Sequence, residues 1–227
     1  MNLLAIDAAS SILSVAVSKG EEILHTETEA GMKHSELVMD RIDGQMKNAG
    51  LKPADLDGVL CMGGPGSFTG LRIGYSIAKG LALSLSIPFA PVPTLDCIAS
   101  SHNGAGLVLP VIEARKNAFF YALYRGTERL TPDTDAASAQ IAEAISHCTE
   151  KIVLTGPGAV LLYNGLPQES MGRLELACSP GCYAKELINI AVNNGLFLND
   201  NTAYLYSGPQ YIRKTDAEIN LSNTQAG

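Results

Sequence analysis

The hydrophobic pattern of the first thirty residues predicts three consecutive β-strands. Leu3 to Ile6 is a short apolar run, Ile12 to Ser18 alternates its side chains between two faces, and Glu22 to Glu29 continues after a Lys19–Gly20 turn. A period of two residues is typical of a strand that buries one face. Because the return at Ala8 to Ser11 is tight, we expect neighbouring antiparallel strands.

An amphipathic helix and a buried strand follow. The helix is predicted from Ser35, which is placed to cap it, to Ala49, and its apolar side includes Leu37, Val38 and Ile42. The segment from Gly58 to Met62 is predicted to be a buried strand.

That strand runs into the glycine-rich residues 63–66, and a second helix is predicted from Ser67 to Leu85. Ser67 is a suitable N-cap, so the free amides of the first helical turn can face an anion above the turn. The helix carries small residues four positions apart, which share one face: Gly70, Gly74, Ala78 and Ala82. Glycine in a helix costs about 1 kcal/mol relative to alanine, so we expect another body to pack closely on this face.

A similar order of elements recurs in the second half. Strand, strand, helix, strand and helix are predicted in turn at Leu107 to Ile112, Ala118 to Tyr124, Ala136 to His147, Lys151 to Leu154 and Tyr183 to Asn194. The order predicts an α/β protein with two lobes, each a mixed β-sheet with flanking helices, the second lobe shortened. We place the first lobe at residues 1–98 and the smaller one at 99–227, with the end of the chain packing back near the junction.

Composition narrows the function classes. Apolar residues make up 46% of the 227-residue chain and charged residues 17%, which is typical of a globular protein with a real core. The net charge of −7 argues against a chain that grips nucleic acid alone. No apolar run is long enough to span a bilayer, and no signal peptide is recognisable. The five cysteines lack zinc-site or CxxC spacing, and we expect reduced thiols.

The end of the first strand is a candidate phosphate site. Asp7 followed by Ser10 and Ser11 can hold a hydrated Mg²⁺ and offer amides to a phosphate, with Gly64 and Gly66 across the cleft. The alternative is that Asp7 caps its own turn. Ala9 stands where a phosphate-gripping hairpin favours glycine.

Other motifs are weaker. The glycine-rich segment is neither a Walker A loop nor a nucleophile elbow, and the four histidines have no metal-site spacing. Glu113 follows a strand and joins the candidate nucleotide site. Its neighbours Arg115 and Lys116 are expected near the cleft, and a solvated charged turn is the alternative for all three residues. The turn Gly156–Gly158 is interpreted as a plain turn because Pro157 removes an amide donor.

The glycine-rich helix carries a family resemblance. The segment Gly64 to Gly74 (GPGSFTGLRIG), followed by Ala78 to Ala82 (AKGLA), closely resembles the TsaB (YeaZ) family. Further matches are Ala5 to Asp7, Glu113 to Arg115, and Tyr211 to Glu218, so the resemblance covers nearly the whole chain. Glu113 departs mildly from the aspartate expected there.

The resemblance implies a two-lobed, actin/Hsp70-like (ribonuclease-H-like) fold and a paralogue of TsaD, the subunit that places threonylcarbamoyl on a tRNA adenosine beside the anticodon. TsaD-like chains carry two metal-binding histidines four residues apart after the glycine-rich helix. Thr94 and Ile98 occupy those positions here, and they cannot replace two imidazoles on a metal. The resemblance therefore implies a scaffold without the metal site.

The resemblance further implies a non-catalytic dimerisation subunit in the cytoplasm. It would pair with a TsaD-type protein through its first-lobe helices, act with a TsaE-type ATPase, and form a homodimer when alone. We assign the interface to seven residues: Leu37, Val38, Ile42, Gly70, Gly74, Ala78 and Ala82. ATP or ADP with Mg²⁺ near the interface is a candidate ligand, no membrane contact is expected, and tRNA would be contacted only indirectly. The alternatives are an actin-like nucleotide hydrolase or kinase, and a metalloprotease, which the missing histidines disfavour.

Overall fold

A computed structural model describes residues 1–102, 104, 106–115, 117–177, 179, 181–197 and 202–213. The first sheet contains five strands: β1 (Leu3–Asp7), β2 (Ile12–Lys19), β3 (Glu22–Glu29), β4 (Gly58–Gly64) and β5 (Phe89–Pro93). Their spatial order is β3-β2-β1-β4-β5. The first three pair antiparallel, whereas β4 runs parallel to β1 and β5 parallel to β4. Every residue of the two central strands β1 and β4 is buried, which explains the apolar runs at residues 3–6 and 59–62.

The second sheet repeats this topology. Its strands are β6 (Leu107–Arg115), β7 (Ala118–Tyr121), β8 (Tyr124–Arg125), β9 (Glu128–Arg129), β10 (Thr134–Ala137), β11 (Ile152–Thr155) and β12 (Leu174–Leu176). The main path runs β10-β7-β6-β11-β12, and the short β8–β9 hairpin lies beside β6. Leaving that hairpin aside, each sheet has the order third, second, first, fourth, fifth. The two-lobed mixed α/β fold predicted from the order of elements is confirmed.

Eight helices are described around these sheets: α1 (His34–Asn48), α2 (Phe68–Leu85), α3 (Thr94–Ser100), α4 (Ser138–Ser146), α5 (Ala159–Gly165), α6 (Gln168–Met171), α7 (Ala184–Asn193) and α8 (Thr202–Tyr206). Helices α1 and α2 cover one face of the first sheet. Helices α3 and α7 contribute Leu95, Ile98, Leu187 and Ile188 to a core that both sheets share. Helices α4 and α5 pack on the other face of the second sheet.

Helix α7 comes from the second half of the chain but packs against the first sheet. Its start is held there by two side chains of that sheet. The backbone amide of Tyr183 donates to Asp7 Oδ2 at 2.9 Å, and that of Ala184 donates to Ser14 Oγ at 3.2 Å. Sequence halves and spatial halves therefore do not coincide at α7, and the boundary at residues 98 and 99 stays a prediction.

The two predicted helix caps have different outcomes. Ser67 does cap α2, because its Oγ accepts the backbone amide of Gly70 at 3.3 Å. The prediction for Ser35 is wrong: α1 already begins at His34, and Lys33 precedes it without a side-chain cap. Helix α1 thus begins two residues before Glu36, which would be its first residue if Ser35 were the cap.

The small-residue face of α2 contacts the chain's own sheet, which corrects its assignment to a partner interface. Gly70, Gly74, Ala78 and Ala82 are all buried, and a Cβ on Gly74 would lie 3.8 Å from Cys61 Cβ on β4. Close spacing of small residues indicates close packing, but it does not say whether a sheet or a second protein supplies the contact.

Two of the three predicted interface residues of α1 are also buried within the chain. Val38 and Ile42 are buried in the core beneath α1, whereas Leu37 is only partly buried. Of the seven residues assigned to the interface, Leu37 alone keeps a partly accessible side chain.

None of the described helices is long and apolar enough to cross a bilayer. Four of the cysteines are free thiols: Cys61, Cys97, Cys148 and Cys182. Cys178 lies outside the described residues.

Candidate functional site: the interlobe cleft

The interlobe cleft is a cavity of about 550 Å³ lined by residues of both halves of the chain. Asp7 lies at the end of β1, Ser10 and Ser11 lie in the turn that follows, and Glu113 enters from β6. The structure thus brings together four of the six residues predicted to bind a nucleotide. Gly66 lines a neighbouring cavity, and Gly64 lines neither.

Asp7 is held by the chain itself. Its Oδ1 accepts the amide of Ala9 at 3.0 Å, and its Oδ2 accepts the amide of Tyr183 at 2.9 Å. The side chain is 1% exposed, and this burial raises the pKa of Asp7 to about 6, against the lowering effect of the two amides. The contact with Ala9 is the one expected of a carboxylate that caps its own turn, which was the alternative considered from the sequence. The contact with Tyr183, the residue before α7, is an additional one.

The serines of the turn also face their own backbone. Ser10 Oγ donates to the carbonyl oxygen of Gly181 at 3.0 Å and accepts the amide of Ile12 at 3.1 Å. The carbonyl oxygen of Ser11 accepts the amides of Ala30 and Gly31, each at 3.2 Å. These contacts hold the turn from two sides, and the Ser10 hydroxyl is hydrogen-bonded to the chain's own backbone.

The glycine-rich turn packs against this hairpin. The amide of Ser67 donates to the carbonyl oxygen of Ala9 at 2.9 Å. A Cβ on Gly70 would lie 1.8 Å from the carbonyl oxygen of Ala8, and one on Gly66 would lie 3.0 Å from Ala9 Cβ. The missing side chains of Gly66 and Gly70 therefore leave room for the turn at Ala8 and Ala9. In a phosphate-binding loop the corresponding space is left for the ligand.

Gly64 has a different neighbour. It has φ +106°, and a Cβ on it would lie 2.5 Å from the carbonyl oxygen of Gln210. The amide of Gln210 donates to the carbonyl oxygen of Gly63 at 2.8 Å. The contacts of the turn are thus made within the chain, and the described residues do not form a cradle that fits a nucleotide phosphate with Mg²⁺.

The two residues that the resemblance aligns with the metal-binding histidines of TsaD-like chains line the cleft. Thr94, at the start of α3, and Ile98, one turn later, both line it. Thr94 Oγ1 is buried without a hydrogen-bond partner in the described part of the chain. The described residues contain no group of three or more His, Cys, Asp or Glu side chains arranged to hold a metal ion. A hydroxyl and an alkyl group thus stand where a metal centre would need imidazoles.

A second cavity, of about 420 Å³, lies beside the cleft, and the C-terminal segment 210–213 forms part of its wall. Tyr211 stacks on Phe68 with ring centroids 4.1 Å apart, and its hydroxyl accepts a hydrogen bond from Arg72 Nε at 3.1 Å. The motif Tyr211 to Glu218 is one of the matches on which the family resemblance rests, and this end of the chain is predicted to pack back near the junction of the lobes. Lys116 and residues 214–218 of that motif lie outside the described residues.

Comparison with known proteins decides the family. A family model described as TsaD, tRNA N6-adenosine threonylcarbamoyltransferase, matches residues 22–221. The chain belongs to the TsaD family. Its predicted resemblance to the TsaB (YeaZ) group is confirmed by curated relatives that carry the TsaB name.

Two relatives illustrate this similarity. The tRNA threonylcarbamoyladenosine biosynthesis protein TsaB of Bacillus subtilis (strain 168) is 29% identical over 162 residues, which cover 69% of this chain and 71% of that protein. The protein of the same name from Escherichia coli (strain K12) is 36% identical over 132 residues, or 56% of this chain and 57% of that protein. The match therefore spans little more than half the length of the Escherichia coli protein.

Two solved structures share the fold. YeaZ from Pseudomonas aeruginosa superposes with a TM-score of 0.74 at 20% identity, covering 93% of this chain and 99% of that chain. A structure described as an uncharacterized protein with similarity to peptidase YEAZ, also from Pseudomonas aeruginosa, gives a TM-score of 0.79 with the same identity and coverage. At this level of identity the likeness concerns the fold.

Proposed function

We propose that this chain is a non-catalytic subunit in the synthesis of threonylcarbamoyladenosine on tRNA. It pairs with a TsaD-type catalytic protein and holds it in its active arrangement, together with a TsaE-type ATPase. The names of the curated relatives place them in this biosynthesis, and the family model describes the transferase itself. The same proposal puts the protein in the cytoplasm.

The cleft carries the non-catalytic part of the proposal. A transferase that uses a metal needs ligands where Thr94 and Ile98 stand, and neither side chain supplies one. An actin-like nucleotide hydrolase needs a carboxylate free to reach Mg²⁺, yet both oxygens of Asp7 accept backbone amides. These contacts favour a scaffold over either enzyme.

The outward side of α2 supports the pairing part. Five exposed or partly exposed residues form what we call the outer α1–α2 surface: Met39, Ile73, Ser76, Gly80 and Leu83. Leu83 is 62% exposed and Met39 49% exposed, and Ile73 and Ser76 line a shallow groove of about 370 Å³. Large exposed apolar side chains beside small residues suit the close approach of helices from a second protein. Without the partner we expect the same surface to form a homodimer.

Gly80 is the residue of this surface that best separates pairing from folding. It is exposed near the middle of α2, and no atom lies within 4 Å of a Cβ built on it. A leucine there has room in the single chain but would occupy space that a partner helix needs. This differs from Gly74, where a leucine would be driven into Cys61 and the sheet.

Reconstitution tests the function. Purified TsaD-type and TsaE-type proteins from the same organism, an activated threonylcarbamoyl donor, ATP and unmodified tRNA are assayed for threonylcarbamoyl transfer with and without this chain. We expect transfer only with the chain present, and equal transfer with the Asp7→Asn variant. Transfer that is complete without the chain contradicts the proposal. Phosphate release by the chain alone, abolished in Asp7→Ala, would favour the hydrolase instead.

A further inference from the structure

Three arginines from distant parts of the sequence lie around the second cavity. Arg115 ends β6 and is exposed, Arg213 belongs to the C-terminal segment, and both line the cavity. Arg72 projects from α2 onto Tyr211, which lines the same cavity. Positive charge is therefore concentrated here in a chain whose net charge is −7.

These arginines keep their charge available. Within the described part of the chain, the ion pairs involve Lys47, Arg125 and Arg129, and none involves the three arginines of this cavity. Glu113 is the one carboxylate among the described residues that line it. Unpaired guanidinium groups on separate elements around one concave surface are suited to bind several phosphates at once.

An aromatic pair completes the surface. Phe68 and Tyr211 stack with an interplanar angle of 14°, and the guanidinium carbon of Arg72 lies 4.4 Å from the Phe68 ring centroid. Tyr211 is 39% exposed, so part of its ring remains accessible. An aromatic ring beside basic side chains is the combination on which unpaired bases stack.

We propose that this basic–aromatic patch, formed by Phe68, Arg72, Arg115, Tyr211 and Arg213, contacts RNA directly. Arg115 and Arg213 bind backbone phosphates, and an unpaired base packs on the accessible part of the Tyr211 ring. The proposal rests on the proposed function, since the RNA is the tRNA that the complex modifies. It revises the expectation of indirect contact, which rested on the net charge of the whole chain rather than on its distribution.

Binding of fluorescently labelled unmodified tRNA, measured by anisotropy, tests the phosphate contacts. The protein is used alone and in complex with the TsaD-type partner. The double variant Arg115→Glu/Arg213→Glu is compared with the charge-matched control Arg125→Glu/Lys151→Glu. Arg125 pairs with Leu107, and Lys151 precedes Ile152, which also pairs with Leu107. The control changes therefore lie at the opposite end of β6, about 26 Å from Arg115 at about 3.3 Å per residue.

We expect the double variant to bind tRNA at least tenfold more weakly than the control at about 150 mM salt. The slope of log affinity against log salt should fall by about 1.5, because each lost phosphate contact removes about 0.7 to 0.9. Equal affinities and slopes for the two double variants overturn the proposal, and so does a wild-type complex that does not bind tRNA. Circular dichroism spectra show whether each variant keeps the fold.

Tyr211 tests the base contact. Tyr211→Ala should weaken binding of a stem–loop RNA at least fivefold and leave a blunt duplex with the same number of phosphates unaffected, because stacking needs an unpaired base. Tyr211→Phe keeps the ring and should bind like the wild type. If Tyr211→Ala also binds the stem–loop like the wild type, the base contact is refuted.

The pairing measurement separates this proposal from the proposed function. A chain that pairs with the TsaD-type protein and supports transfer, while the double variant binds tRNA like its control, refutes the patch alone. A chain that binds tRNA through the patch but neither pairs nor supports transfer refutes the proposed function and leaves the RNA contact standing.

Discussion

Replacing Asp7 with asparagine tests whether this carboxyl is a structural group or a ligand for a cation. Burial raises its pKa from 3.8 to about 6, so the folded state binds the proton more tightly than the unfolded chain. Each unit of difference between the folded and unfolded pKa values corresponds to about 1.4 kcal/mol of unfolding free energy. Ionisation of Asp7 therefore lowers the free energy of unfolding by about 3 kcal/mol as the pH rises from about 4 to about 7.

Asparagine removes this pH dependence at a cost that does not vary with pH. Its single carbonyl oxygen can accept only one of the amides of Ala9 and Tyr183, and the loss of the other bond costs about 1 to 3 kcal/mol. At pH 4 the variant should be less stable than the wild type by that amount. Between pH 4 and pH 7 the difference should shift in favour of the variant by about 3 kcal/mol.

Urea unfolding followed by far-UV circular dichroism at pH 4, 5, 6 and 7, at constant ionic strength, measures this difference. A difference that stays constant to within about 0.5 kcal/mol refutes the buried, proton-binding carboxyl. A variant that loses stability relative to the wild type as the pH rises would mean that the folded state favours the ionised form. That result is expected of a carboxylate that holds a cation, and it would bring the hydrolase forward.

Two further predictions concern α2 and the cleft. Gly70→Ala should lower the free energy of unfolding by about 3 kcal/mol, because its Cβ would overlap the carbonyl oxygen of Ala8. Gly80→Ala should instead raise the free energy of unfolding, by at most about 1 kcal/mol. Equal urea midpoints for the two variants would refute this packing. Thr94→His/Ile98→His should bind Zn²⁺ at least tenfold more tightly than the wild type in a zinc titration, because imidazoles four residues apart on α3 would then face the cleft. A folded double variant whose zinc affinity equals that of the wild type would show that the two positions do not face the cleft together.

The sequence predicts most of the fold because its local signals are strong. The apolar runs within β1 and β4, the Ser67 cap and the repeated order of elements each place a structural element close to where it is found. Helix α7 is predicted as an element, but its place on the first sheet is not. That place depends on contacts between Asp7 and Tyr183, which are 176 residues apart and leave no periodic signal.

The site is less predictable for a related reason. Gly66 and Gly70 indicate that something approaches the backbone closely, which is correct, but the approaching atoms belong to Ala8 and Ala9 rather than to a phosphate or a partner. A glycine in the sequence indicates that another group lies close to the backbone, but it does not indicate which group that is. The basic–aromatic patch is missed for the same reason, since its arginines are scattered along the sequence and meet only in the fold.

The measurement that tests the scaffold role most directly is the affinity of this chain for the TsaD-type protein, with Gly80→Leu beside the matched control Ala144→Leu. Ala144 is exposed on α4, which packs on the second sheet, so the control introduces the same leucine side chain away from the outer α1–α2 surface. Sedimentation velocity over a range of concentrations gives the dissociation constant of each pair. We expect the wild type and Ala144→Leu to pair equally, and Gly80→Leu to keep its fold but to pair at least tenfold more weakly. A Gly80→Leu chain that pairs like the wild type would contradict this expectation.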